Sequence, residues 1–218
     1  MKILDVPQSG SEAGITSSRN RYGQYRRTRA VPVNRKTAFQ LVVRNRMSLN
    51  SAAWRTITDA QRAGWEDLAA QSSRSDALGQ SYNLNGFGAY CSINNNRLAA
   101  GDAVVADAPA LAAPLTLTSV TLTLTAAAFS IAFTPTPTGA GVKLFIYASP
   151  QRPAGRSFNS DFRLIQVSTA AQASPVVALA AYTARFGVPV VGNRVFLSIA
   201  TYTLGFRSGP FQMSQVVA

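Results

Sequence analysis

The sequence predicts an α+β protein in two domains, on three observations. Near the front, arginines, tyrosines and hydroxyl residues alternate on either side of a glycine, the pattern of a β-hairpin. Apolar residues then recur at helical spacing as far as Leu98. Beyond Pro114 the apolar period drops to two, and the short runs are separated by Gly/Pro clusters. Residues 1–100 are therefore expected to form a basic β-hairpin arm with a small helical domain, residues 101–114 a linker, and residues 115–218 an antiparallel β-sandwich.

Residues 1–18 contain Gly10, Gly14 and several serines and read as an arm or a short edge strand. The hairpin follows and turns near Gly23, where a positive φ costs little. On its second strand Tyr25, Arg27, Arg29 and Val31 share one face, while Gln24, Arg26, Thr28 and Ala30 share the other. Neither face is apolar. Two strands alone are marginal in water, so this ribbon is expected to dock on a partner. Pro32 and Asn34 end it.

From residue 35 to about residue 55 the spacing is helical, with Phe39, Val43, Met47 and Trp54 on one side and Val42 beside them. Thr58 and Gln61 form a capping box. It opens a second helix through about Gln71, with Trp65, Leu68 and Ala69 as its buried stripe. The economical packing sets these two helices antiparallel, with Trp54 and Trp65 in the seam. A third helix is expected from about Gly86 to Leu98, carrying Phe87, Tyr90 and Ile93. Cys91, the single cysteine, reads as a small buried hydrophobe and excludes an intrachain disulfide.

Residues 101–114 are rich in Ala and Pro and hold no basic residue, as a linker would. Strands are expected over 115–124, 128–133, 142–148, 162–167, 176–182, 194–202 and 211–217. The first slips phase once, at Ser119 and Val120. Seven short strands with turn residues between them argue a sandwich of the fibronectin type III or immunoglobulin kind.

Charge is distributed unevenly. The chain carries 21 Lys and Arg against 9 Asp and Glu, a formal net charge of +12. Nine of the basic residues (Arg19, Arg21, Arg26, Arg27, Arg29, Arg35, Lys36, Arg44 and Arg46) fall within residues 19–46, which contain no acid. Tyr22, Tyr25, Phe39, Leu41 and four valines are interleaved with them, unlike the composition of a disordered basic tail. Such a surface seats on a nucleic-acid backbone or on an acidic protein. The charged fraction of 14% leaves the remaining surface to Ser, Thr, Asn, Gln and Ala, which suits a protein packed against other subunits.

What is missing narrows the function. There is no histidine, which removes the commonest general base, every Ser–His or Cys–His pair and the usual nitrogen metal ligand. One cysteine and scattered acids do not make a thiolate zinc site. Asn85-Gly-Phe-Gly lacks the third glycine of a dinucleotide fingerprint, and no Walker loop is present. The expectation is a non-enzymatic protein with no catalytic residue, cofactor or metal. Asp5 and Pro7 interrupt any signal-peptide core, and no run reaches eighteen apolar residues. The protein is expected to be made in a host cytoplasm and to stay off membranes.

Residues 18–27 (SRNRYGQYRR), 32–34 (PVN), 54–62 (WRTITDAQR) and Trp65 resemble a structural-protein family of tailed bacteriophages and prophages. There an RNRYGQY-type motif and a tryptophan-flanked helix pair precede a sandwich-like half. The resemblance covers roughly residues 10–100; Asn34 and Arg35 depart from the family, which usually has a proline at this turn. It implies a virion context and no catalytic residue. The protein is then expected to be a capsid decoration or neck/tail assembly subunit in the virion, forming a homo-oligomer or ring. It would dock on other virion proteins through Arg19, Arg21, Tyr22, Tyr25, Arg26, Arg27, Arg29, Arg35, Lys36, Phe39, Arg44 and Arg46. The alternative is a nucleic-acid-binding protein that uses the same face.

Overall fold

The computed structural model describes residues 8–75 and 78–218 of an α+β protein, with four helices and several antiparallel sheets among them. The chain divides into two units, residues 1–42 and residues 43–218.

In the first unit, β1 (Gly10–Glu12), β2 (Ile15–Asn20) and β3 (Gly23–Thr28) form an antiparallel meander in that order. Ala13 and Gly14 link the first pair with φ of 43° and 82°, the handedness that suits the twist of a tight hairpin. Arg21 and Tyr22 link the second pair, where Asn20 stands opposite Gly23. The Tyr22 amide donates to Asn20 Oδ1 at 2.9 Å, closing the turn with a side chain. The arm thus supplies a third strand to the expected ribbon; residues 1–7 lie outside the described residues.

Helix α1 (Ala38–Trp54) spans the boundary between the units. Its start carries an unforeseen capping box: the Gln40 amide donates to Thr37 Oγ1 and the Thr37 amide to Gln40 Oε1.

The second unit continues with α2 (Asp59–Gln71), the short ribbon β4 (Ser73–Ser75) and β5 (Ser81–Asn83), and α3 (Gly86–Ala99). The Thr58/Gln61 box caps α2 as the sequence requires. The expected seam between the first two helices is replaced. The rings of Trp54 and Trp65 each lie 5.1 Å from that of Tyr90, so α3 receives both tryptophans. The reason is bulk: Trp65 and Leu68 of α2 face Tyr90 and Ile93 of α3, and α1 adds only Ala53 and Trp54 from its last turn. Glu66 Oε2 accepts from the Gly86 amide at 2.8 Å, setting a carboxylate on the positive end of α3. Cys91 is buried in this core, which pushes its thiol pKa up.

Residues 101–114 contain no helix or strand, yet side chains of the helices hold them. Trp65 Nε1 donates to the Ala106 carbonyl at 2.7 Å. The buried Asn94 pairs with both polar groups of the Val105 backbone, as a neighbouring strand would.

The remaining chain runs β6 (Ser119–Leu124), β7 (Phe129–Thr134), β8 (Val142–Ala148), β9 (Arg152–Pro153), β10 (Arg163–Val167), β11 (Val176–Val177), α4 (Leu179–Phe186), β12 (Asn193–Thr203), β13 (Phe206–Arg207) and β14 (Phe211–Val216). One sheet is β11-β7-β6. The other is β10-β8-β12-β13, with β9 and β14 also on β12. Leu122, Leu124, Phe129 and Ile131 of the first sheet share a core with Leu144, Ile146, Leu197 and Ile199 of the second. Strand β12 is buried almost throughout, because Tyr202 and the neighbouring Phe145 of β8 pack Ala100 on the opposite side of the sheet.

Two strand expectations need correction. The first strand begins at Ser119, where the phase slips, and not at Leu115. Residues 176–182 are not one strand: pairing stops after Val177, and α4 follows to Phe186. Leu179, Tyr182 and Phe186 recur at i, i+3 and i+7, and alanines favour the helix between them. Tyr182 stacks on Phe129 at 5.2 Å and donates to the Ser149 carbonyl; burial pushes its phenol up to about 12.

Asp102, at the start of the held segment, ties α3 to the second sheet. Lys143 Nζ of β8 donates to Asp102 Oδ1 at 2.6 Å and to the Ala100 carbonyl at 2.9 Å. Tyr202 of β12 donates to Asp102 Oδ2 at 2.6 Å. Burial works to raise this carboxyl. The bonds from Lys143 and Tyr202, with the charges of Lys143 and Arg97, outweigh burial and hold it below the usual carboxylate range. Because the folded state then binds its proton more weakly than the unfolded chain, the stabilisation is complete above about pH 4 and drains as pH falls through the folded value. Asp102→Asn is expected to lose about 2 kcal/mol at pH 7. Urea unfolding of both proteins from pH 7 to pH 3 should show that gap narrowing toward acid.

Candidate docking face

The basic residues of the first unit sit on its ribbon and on the chain leaving it. Register places Tyr25 and Arg27 beside Thr16, Ser18 and Asn20 on one face, and Ile15, Ser17, Arg19, Gln24 and Arg26 on the other. Arg21 lies in the turn with its guanidinium 4.6 Å from the Tyr22 ring centre and bonded to the Tyr22 hydroxyl. Arg26 donates to Gln8 Oε1 at 2.6 Å. The Arg29 amide donates to the Gly14 carbonyl at 2.7 Å, which carries the pairing one residue past β3. Arg35 and Lys36 lie in the exposed connection before α1, where the Lys36 amide donates to Asn34 Oδ1 at 3.2 Å.

Arg44 and Arg46 stand on α1, the first exposed and the second half-buried. Among the described residues the ion pairs found involve Asp59, Asp102 or Asp161, and none of them reaches Arg19, Arg21, Arg27, Arg29, Arg35, Lys36, Arg44 or Arg46. Within the ribbon the structure brings Arg19 and Arg26 to one face and Tyr25 and Arg27 to the other, so the candidate residues do not form a single patch there.

The apolar side of α1 packs on its own chain only near its C-terminal end. Val42 is 45% exposed, Val43 63%, Met47 41% and Leu49 60%, and Phe39 also lies open. Burial starts only at Asn50, whose Nδ2 donates to Asn95 Oδ1, and at Ala53 and Trp54. Val42, Val43, Met47 and Leu49 were therefore missed as surface residues. Arg46 was the available signal: it falls in the middle of the stripe, where a core-facing helix would not carry a charge.

Among the described residues no three of His, Cys, Asp and Glu converge to hold a metal ion, and no helix is long and apolar enough to cross a membrane. The exposed first turns of α1 lean on their cap. Thr37→Ala is expected to weaken that end of the helix by about 1 kcal/mol. Hydrogen exchange should quicken at residues 39–42 and stay unchanged in α2. Comparison of the chain with protein-family models, with curated proteins and with solved structures finds no match.

Proposed function

We propose that this protein is a non-enzymatic structural subunit of a tailed-phage particle, a capsid decoration or neck/tail assembly protein that docks on neighbouring subunits through its basic front. The observation that carries the reading is the set Arg19, Arg21, Arg27, Arg29, Arg35, Lys36 and Arg44, all exposed and with no ion pair among the described residues. Charge of one sign at that density speeds encounter with an acidic surface and repels other copies of itself. The RNRYGQY-type motif supports the virion setting. The two-sheet half, read as a fibronectin III/Ig-like sandwich, would be the part that projects or packs in a ring.

Nucleic acid is the second reading, favoured by one observation. The ribbon face with Tyr25 and Arg27 among Thr16, Ser18 and Asn20 offers a stacking ring, a phosphate partner and hydroxyl groups together.

Replacing Arg27 and Arg29 by Glu should leave the fold intact and abolish incorporation, measured by mass spectrometry of purified particles. Absence of the unaltered protein from those particles would overturn the first reading. A gel-shift series over salt decides the second: no DNA or RNA retained at low salt removes it.

A further inference from the structure

We infer that the first three turns of α1 insert into a groove on an acidic protein, with an apolar floor for Val43 and Met47 and carboxylates along the rim for Arg44 and Arg46. The inference deepens the docking reading above and rests on it for the meaning of the basic front. Four aliphatic or thioether side chains, Val42, Val43, Met47 and Leu49, stand 41–63% exposed on successive turns. Val43 and Met47 lie on the side of the helix that Asn50 and Trp54 turn into the chain's own core, so that stripe is continuous and only its far end is covered, while Val42 and Leu49 lie about 100° round the axis. A patch of that kind marks an interaction site.

Charge selects the occupant. No acid occurs between Glu12 and Asp59, so α1 carries only positive side chains. A second copy laid on the stripe would bring Arg46 against Arg46 and offer no carboxylate from its own α1. A nucleic-acid backbone would neutralise the arginines, but bases stack on aromatic rings and give Val43 and Met47 nothing to bury against. An anionic bilayer takes helices whose charges all stay on the polar side, whereas Arg46 flanks Val43 and interrupts the apolar surface between it and Val42. A protein groove satisfies both demands, because its rim can carry carboxylates beside a hydrophobic floor.

The test is photo-crosslinking in the host that makes the full chain. p-Benzoylphenylalanine replaces Val43 or Met47, and Ser48 on the opposite side of α1 serves as the control. The expected result is an adduct from positions 43 and 47, and none from 48, with a second polypeptide whose crosslinked residue is apolar and flanked by Asp or Glu. Adding Arg46→Glu should cut the yield about tenfold or more, with tryptophan emission showing α2 and α3 intact. Adducts with a second copy of this chain, with lipid or with nucleic acid overturn the inference, and so does a failure of both positions to give any adduct. An acid-flanked partner that is not a particle subunit leaves the inference standing and sinks the virion reading.

Discussion

Carboxylates are scarce in this chain, and the fold uses them on itself. Asp59 pairs with Arg62, and Glu66 receives the first amide of α3. Asp102 takes Lys143 and Tyr202, Asp107 takes Gln61, and Asp161 takes Arg152 and Arg163. The Asp102 node matters most, because it joins the end of α3 to the middle of a sheet from residues far apart in sequence. A half-buried carboxylate there is stable only while both partners stay in place. These five acids are held within the second unit, while residues 19–46 carry nine basic residues and no acid, so the positive front goes with the same scarcity.

Much of the fold was legible because local signals agreed with one another. The Thr58/Gln61 box, the Trp65–Leu68–Ala69 stripe and the Gly86–Leu98 spacing each have one structural meaning, and each appears as read. The strands around 142–148 and 194–202 came through for a similar reason: continuous apolar runs bounded by Gly and Pro suit a sheet covered on both faces. Residues 176–182 were misread because V-V-A-L-A-A-Y can be scored at either period. Burial of Tyr182 on Phe129, a long-range contact, decides for the helix.

The candidate site was legible in composition and illegible in geometry. Counting charges finds the nine basic residues and a period of two separates Arg26 from Arg27, but only register shows that Arg19 joins the Arg26 face and that Thr16 and Ser18 flank Tyr25 and Arg27. The α1 stripe shows a different limit. Period 3.6 establishes that a helix has an apolar side, and says nothing about whether the surface meant for that side belongs to the same chain. The first tryptophan sits on that stripe and is packed; Val43 sits on it and is open. What distinguished them in the sequence was Arg46, placed between.

An open stripe also bears on how α1 holds its shape. Its first three turns draw little from packing, and residues such as Val42 and Val43 are mediocre helix formers. A helix of this length has marginal stability in water without a tertiary face to bury. What supports the exposed end is the Thr37/Gln40 box and continuity with the anchored turn at Trp54. Burying Val43 and Met47 against a partner would then stabilise the helix as well as the complex. Partner binding at this surface would then be coupled to the order of α1, each contributing to the other.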